Sequence, residues 1–191
     1  MDYEILVNKD NLLDENYVPE NLVLVEGPTG KKLDDSYVNK LNLLAYKYFL
    51  LMQKDALRKG YRIYVDSSYR SYQYQKEIFD DLVLKKGYEY AIKYCAIPGA
   101  SEHQTGLAID IIFKRNGIMI EQQSWRDPEI IWMMNNSFNF GYILRYPLGK
   151  ESITGYNFEP WHYRFCTPDL ARQLYNNNET LEEYHLRKRI K

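Results

Sequence analysis

The sequence predicts an α+β fold in which helices flank a small, mostly antiparallel sheet. Three observations predict it. Apolar residues recur at three-to-four spacing early in the chain; short apolar runs of strand length cluster later, with hairpin-sized gaps between them; and no internal repeat or low-complexity linker divides the 191 residues. A chain of this length forms a single domain with a substantial core.

Residues 1–34 carry several turn formers, among them Pro19, Gly27-Pro28 and Gly30-Lys31-Lys32, and read as an irregular arm with a short strand at Leu22–Val25. Asp34-Asp35-Ser36 offers an N-cap, and Val38, Leu41, Ala45, Tyr48 and Met52 continue as an amphipathic helix that stops near Gly60. Arg62–Asp66 alternates as a strand. Ser71 caps a helix that runs through Lys86 and ends at Gly87, and a short helix follows over Tyr88–Tyr94. Leu107–Phe113 is a strand, Arg115-Asn116-Gly117 a turn, and Pro128–Ser137 a helix. Gly141–Tyr146 is a strand, Pro147–Thr154 a loop, and Trp161–Phe165 a last strand. Thr167-Pro168 opens one helix with proline in its first turn. Thr180-Leu-Glu-Glu opens another with a capping box.

Composition excludes several classes. The formal net charge is −1, so no electrostatic bias towards nucleic acid or an anionic membrane is visible, and the basic end Arg187-Lys188-Arg189 reads as a solvated tail. No apolar run is long enough to span a bilayer. The first residues lack the basic and apolar regions of a secretory signal, which leads us to expect a cytoplasmic protein. Cys95 and Cys166 form no C-x-x-C and read as buried apolar fillers. The 19 tyrosines accompany frequent Asn, Lys and Ile and read as compositional bias.

One stretch asks for a chemical explanation. In Leu107-Ala108-Ile109-Asp110-Ile111-Ile112-Phe113 a carboxylate interrupts an apolar strand, and burying it is costly unless a positive partner meets it. His103 lies seven residues before it, and Glu159-Pro160-Trp161-His162 places a second histidine three residues after a carboxylate. His103, Asp110 and His162 suit a three-ligand zinc site with a fourth position open for water. Two neutral imidazoles and one carboxylate leave such a centre formally at about +1, enough to acidify water and polarise a carbonyl. Glu159 would then take the proton of the water and pass it to a leaving amine. A strand histidine beside an aspartate also reads as a hydrogen-bonded structural pair, and no H-E-x-x-H decides between the two.

A family resemblance decides it. Ser101-Glu102-His103-Gln104-Thr105-Gly106-Leu107-Ala108-Ile109-Asp110 resembles the S-x-H-x-x-G-x-A-x-D signature of the VanY/VanX/VanXY family of zinc D-Ala-D-Ala peptidases, and Glu159-Pro160-Trp161-His162 resembles its E-x-W-H element. Ser68-Tyr69-Arg70-Ser71-Tyr72-Gln73-Tyr74-Gln75 is similar to S-G-Y-R-S-x-x-x-Q, and Gly141-Tyr142-Ile143-Leu144-Arg145-Tyr146-Pro147 to G-F-I-L-R-Y-P. Thr180–His185 resembles the tail of the VanXY type. The likeness runs in order from about residue 5 to about residue 186. Departures at Ser67-Ser68 and Phe165-Cys166 touch no metal position.

The resemblance implies that His103, Asp110 and His162 bind Zn²⁺ and that Glu159 is the general base. It implies that Arg70 stabilises the oxyanion, that Ser101 holds the terminal carboxylate of the substrate, and that Gln75 holds its backbone. The implied activity is a D,D-carboxypeptidase on peptidoglycan stem peptides ending in D-Ala-D-Ala, with free D-Ala-D-Ala as a further substrate. An L,D-carboxypeptidase on tetrapeptides and a non-catalytic peptidoglycan-binding module are the alternatives. An endopeptidase is disfavoured by the missing export signal. Arg145 and Arg164 read as ion-pairing residues, Trp161 as packing beneath the metal, and His185 as a surface residue.

Overall fold

A computed structural model of the chain describes residues 1–27 and 39–190. The predicted cap at Asp34-Asp35-Ser36, the turn formers from Pro28 to Lys32 and the predicted helical position Val38 lie outside the described residues. Strands β1 (Leu22–Leu24) and β2 (Lys40–Asn42) form a small antiparallel pair, followed by helix α1 (Leu43–Arg58) and strand β3 (Arg62–Ser67). Helices α2 (Tyr72–Lys86) and α3 (Tyr88–Tyr94) come next. A 3₁₀ turn (Glu102–Thr105) leads into β4 (Ala108–Arg115), β5 (Ile118–Ile120) and α4 (Pro128–Asn136). A second 3₁₀ turn (Ser137–Phe140), β6 (Tyr142–Leu144), the single-turn α5 (Glu151–Thr154), β7 (His162–Phe165), α6 (Pro168–Asn177) and α7 (Leu181–Ile190) complete the order.

Helix α1 starts later than the apolar spacing predicts. Asn42 accounts for this: its side chain accepts the backbone N–H groups of Leu44 and Ala45, so Lys40–Leu41 are left to pair with β1. Ser71 does cap α2, and Gly87 ends it at φ 88°, a conformation costly for other residues. The predicted capping box also forms, with Thr180 Oγ1 accepting from Glu183 N at 3.2 Å and Glu183 Oε2 accepting from Thr180 N at 2.7 Å. The Arg115-Asn116-Gly117 turn leads into a short strand, β5, that pairs back on β4, and the predicted 147–154 loop contains α5.

The main sheet runs β3-β4-β7-β6, all antiparallel. Strand β4 is its spine: β3 pairs along one edge, while β7 and then β5 share the other. Period-two alternation sorts its side chains. Ile109, Ile111 and Phe113 join Tyr163 and Phe165 of β7 in the main core, against Ala45, Phe49, Met52 and Ala56 of α1. Asp110 therefore points to the opposite face, where its register partner across the ladder is His162. The apolar run flanking Asp110 is one strand with two faces, and the carboxylate belongs to the face away from α1. Among the described residues no helix is long and apolar enough to cross a membrane.

Candidate metal centre

His103, Asp110 and His162 meet on that face, each offering one ligand atom, with these atoms all within 4.8 Å of one another. Three elements deliver them: the 3₁₀ turn before β4, β4 itself, and the first residue of β7. Asp110 Oδ1 lies 2.9 Å from His162 Nδ1 and Oδ2 lies 3.3 Å from His103 Nε2. The remaining nitrogen of each ring has its own acceptor. His103 Nδ1 donates to the Ser68 carbonyl at 2.5 Å, and His162 Nε2 faces Glu102 Oε2 at 3.4 Å. With those nitrogens protonated, His103 Nε2 and His162 Nδ1 are left as lone pairs beside the carboxylate.

The electrostatics match a cation site. Burial opposes charge on Asp110, yet the two imidazoles hold its carboxyl well below the usual range. His162 behaves oppositely to a simple buried histidine. Burial lowers its pKa, but hydrogen bonds to Asp110 and Glu102 and the Asp110 and Glu159 charges push it up to about 9. The pocket favours positive charge at that ring. His103, by contrast, is lowered by burial and by the Arg70 guanidinium, which favours the neutral ligand form. The donor set of two imidazoles and one carboxylate fits zinc.

The other predicted residues line the same cleft of about 230 Å³, namely Arg70, Gln75, Ser101 and Glu159. Two roomier grooves, about 460 and 420 Å³, are lined by no histidine, cysteine or aspartate. Glu159 Oε2 stands 4.0 Å from His162 Nδ1, outside the ligand cluster, and burial raises its carboxyl above the ordinary value. Arg70 is placed by a bulge: the β3–β4 register shifts between Val65 and Ser67, which brings Ser67 opposite Asp110. Its Nη2 donates to Ser67 Oγ and Asp110 Oδ2, both at 2.9 Å. Gln75 is buried and its Nε2 donates to the Ala96 carbonyl at 2.8 Å, while its Oε1 has no partner among the described residues. Cys95 Sγ sits 3.4 Å from Gln75 Nε2; it is half-buried, Cys166 is fully buried, and both are free thiols.

Some residues behave differently from the sequence reading. Trp161 does not pack beneath the metal ligands: it is 37% exposed at the rim of the cleft. Underneath lies Tyr146, whose ring stacks on His162 at 4.9 Å. His185 donates from Nε2 to the Glu4 carbonyl at 2.6 Å and takes no part in the cluster. Arg145 and Arg164 are ion-paired as predicted, and their shared partner is Glu102, a residue given no role from sequence. Its neighbour His103 marked the motif, but both guanidinium groups come from more than forty residues away, Arg145 just past β6 and Arg164 in β7, so local spacing carried no signal.

Residues 38–168 match the model of the VanY family, D-alanyl-D-alanine carboxypeptidase. The putative carboxypeptidase YodJ of Bacillus subtilis is 41% identical over 181 residues, 94% of this chain. The chain spans 65% of the length of that relative. Among solved structures, the LD-carboxypeptidase LdcB superposes with a TM-score of 0.86 at 38% identity, covering 94% of this chain and 84% of that one. The D,D-pentapeptidase VanY from a VanB-type vancomycin resistance cassette, solved as a mutant in complex with Zn(II), gives a TM-score of 0.78 at 32% identity, covering 96% and 99%.

Proposed function

Since this chain belongs to the VanY family of D-alanyl-D-alanine carboxypeptidases, we propose that it acts as one zinc-dependent catalytic unit that removes the terminal D-alanine from peptidoglycan precursor peptides ending in D-Ala-D-Ala. The observation that carries this reading is the convergence of His103, Asp110 and His162 within 4.8 Å, with Glu159 and Arg70 on the walls of the same cleft. His103 Nε2, Asp110 and His162 Nδ1 would hold the metal. When bound, zinc supplies Lewis acidity to the scissile carbonyl and lowers the pKa of the attacking water.

The chain's own groups divide the remaining work. Water adds to the carbonyl carbon of the penultimate residue, and the Glu159 carboxylate takes its proton. The same carboxyl then returns the proton to the amide nitrogen as the C–N bond breaks, and D-alanine leaves as the amine. Arg70 faces the carbonyl oxygen, and its permanent charge stabilises the negative charge that grows there. The Ser101 hydroxyl binds the terminal carboxylate. Gln75 Oε1, buried without a donor among the described residues, accepts a substrate N–H.

A second reading, hydrolysis of tetrapeptides with an L-centre before the terminal D-Ala, is favoured by the 38% identity to LdcB. One experiment separates the two. D-Ala release is followed on D-Ala-D-Ala, on a pentapeptide ending in D-Ala-D-Ala and on the tetrapeptide, each with a chelator control. Chelator-sensitive turnover of the pentapeptide supports the first reading, and extension to the free dipeptide adds dipeptidase activity. Turnover of the tetrapeptide alone moves the assignment to the L,D-enzyme. Silence on all three refutes both.

A further inference from the structure

The two histidines differ in what holds the ring from behind. For His103 it is a backbone carbonyl, that of Ser68. For His162 it is a carboxylate, and that carboxylate is itself elaborately held. Glu102 has no exposed side-chain surface, and its two oxygens have separate tasks. Oε1 accepts from Arg145 Nε at 2.7 Å and from Arg164 Nη1 at 2.8 Å. Oε2 faces His162 Nε2 at 3.4 Å. A carboxylate present only to neutralise two buried guanidinium groups would share both oxygens between them in forked pairs. Here both cations converge on one oxygen and leave the other to the imidazole.

The arginines are fixed in turn. Arg145 makes a two-pronged pair with Glu182 of α7, at 2.9 and 2.6 Å, and Arg164 Nη2 donates to the Ile5 carbonyl at 2.9 Å. Among the described residues, Glu102 is the acceptor that faces Nε2 of His162.

We propose that Glu102 is a positioning residue of the metal centre: its Oε2 accepts the N–H at His162 Nε2 and thereby presents Nδ1 as the metal ligand, while Arg145 and Arg164 keep Glu102 in place as the carboxylate. The inference rests on the zinc-site reading above.

The test is zinc affinity of the metal-stripped full chain, measured by competition with a chelator. Glu102→Gln is expected to weaken zinc binding by about 10- to 100-fold. Glu182→Gln breaks the Arg145–α7 pair but leaves Glu102 beside His162, and is expected to leave zinc affinity essentially unchanged. No loss in Glu102→Gln, or an equal loss in both variants, overturns the proposal. Should Glu102→Gln fail to fold, the imidazole ¹⁵N spectrum of the zinc-loaded, unsubstituted protein decides. Only three histidines contribute to it. A proton on His162 Nε2 with Nδ1 bound to metal supports the proposal, and a proton on Nδ1 overturns it. An unsubstituted protein that binds no zinc at all overturns the metal-site reading itself, a failure distinct from the one specific to Glu102.

Discussion

Replacing Glu159 by glutamine separates the chemistry of this cleft from its construction. The Glu159 carboxylate stands 4.0 Å from His162 Nδ1, its side chain is 26% exposed, and it accepts no hydrogen bond from the described residues. Glutamine keeps the volume and strands no donor, so folding stability is expected to shift by no more than about 0.5 kcal/mol. Removing a negative charge beside Asp110 also leaves the three ligand atoms where they are. What is lost is the proton acceptor for water and the donor to the leaving amine. A positioned general base contributes about 10²- to 10⁴-fold, or roughly 2.7 to 5.4 kcal/mol of barrier at about 1.36 kcal/mol per decade. The expected result is kcat for D-Ala release lowered within that range, with zinc stoichiometry and thermal midpoint retained. Initial rates on the pentapeptide, metal analysis and calorimetry on one preparation read all three. A variant within tenfold of the starting kcat at full zinc occupancy refutes the role of base. Loss of zinc along with activity refutes the placement of Glu159 outside the ligand set.

Zinc itself is expected to stabilise the fold by mass action, by about 4.1 kcal/mol at a free concentration of 1,000 times Kd; equal thermal midpoints with and without chelator would refute this. Gly141 sits at φ 80°, and a Cβ there would fall 2.6 Å from Phe165 Cε2 and 3.0 Å from Pro168 N. Gly141→Ala is therefore expected to cost about 1–2 kcal/mol in backbone strain and about 1–3 kcal/mol in overpacking, measured as a lower urea midpoint; an unchanged midpoint would show that this turn has room to shift. Glu183 gives a pH-dependent test. Burial works against its charge, but the Thr180 N–H and Lys150 hold its carboxyl below the ordinary value. A depressed carboxyl contributes stability above its unfolded pKa of about 4.3 and loses it as pH falls through the lower folded value. Glu183→Gln should therefore cost up to about 1 kcal/mol at neutral pH, and the difference should vanish in acid. A difference that persists at low pH would assign the loss to packing.

What the sequence discloses and what it hides follow a physical line. Signals carried by a few consecutive residues were legible: the Ser71 cap, the Gly87 stop and the Thr180–Glu183 box. Signals that needed a distant partner were not. The Lys40–Asn42 strand exists because β1 lies beside it, although its apolar spacing continues that of α1. Strand β5 is three residues long and depends on β4; the positive φ angles of Asn116 and Gly117, 53° and 81°, make the hairpin whose turn alone was foreseen. Glu102 went unread for the same reason, since its meaning lies in Arg145, Arg164 and His162.

The register of β4 against β7 brings these separate findings under one constraint. Asp110 lies directly opposite His162, and Ala108 opposite Arg164, so the metal ligands and the clamp on Glu102 occupy alternate positions on one face. Ile109 and Tyr163 occupy the intervening position on the other face, in the main core. Side chains alternate with a period of two, so a slip by one residue would carry His162 into the core and set Tyr163 beside Asp110. The apolar face thus enforces the register that the polar face needs. A substitution such as Ile109→Ala, which removes buried volume on the core side, is therefore expected to cost about 2–5 kcal/mol of stability while zinc affinity of the folded fraction holds, because β4 still has Ile111 and Phe113 to keep it in register. Weakened zinc binding in that folded fraction would show instead that the ligand geometry depends on each core contact along the strand.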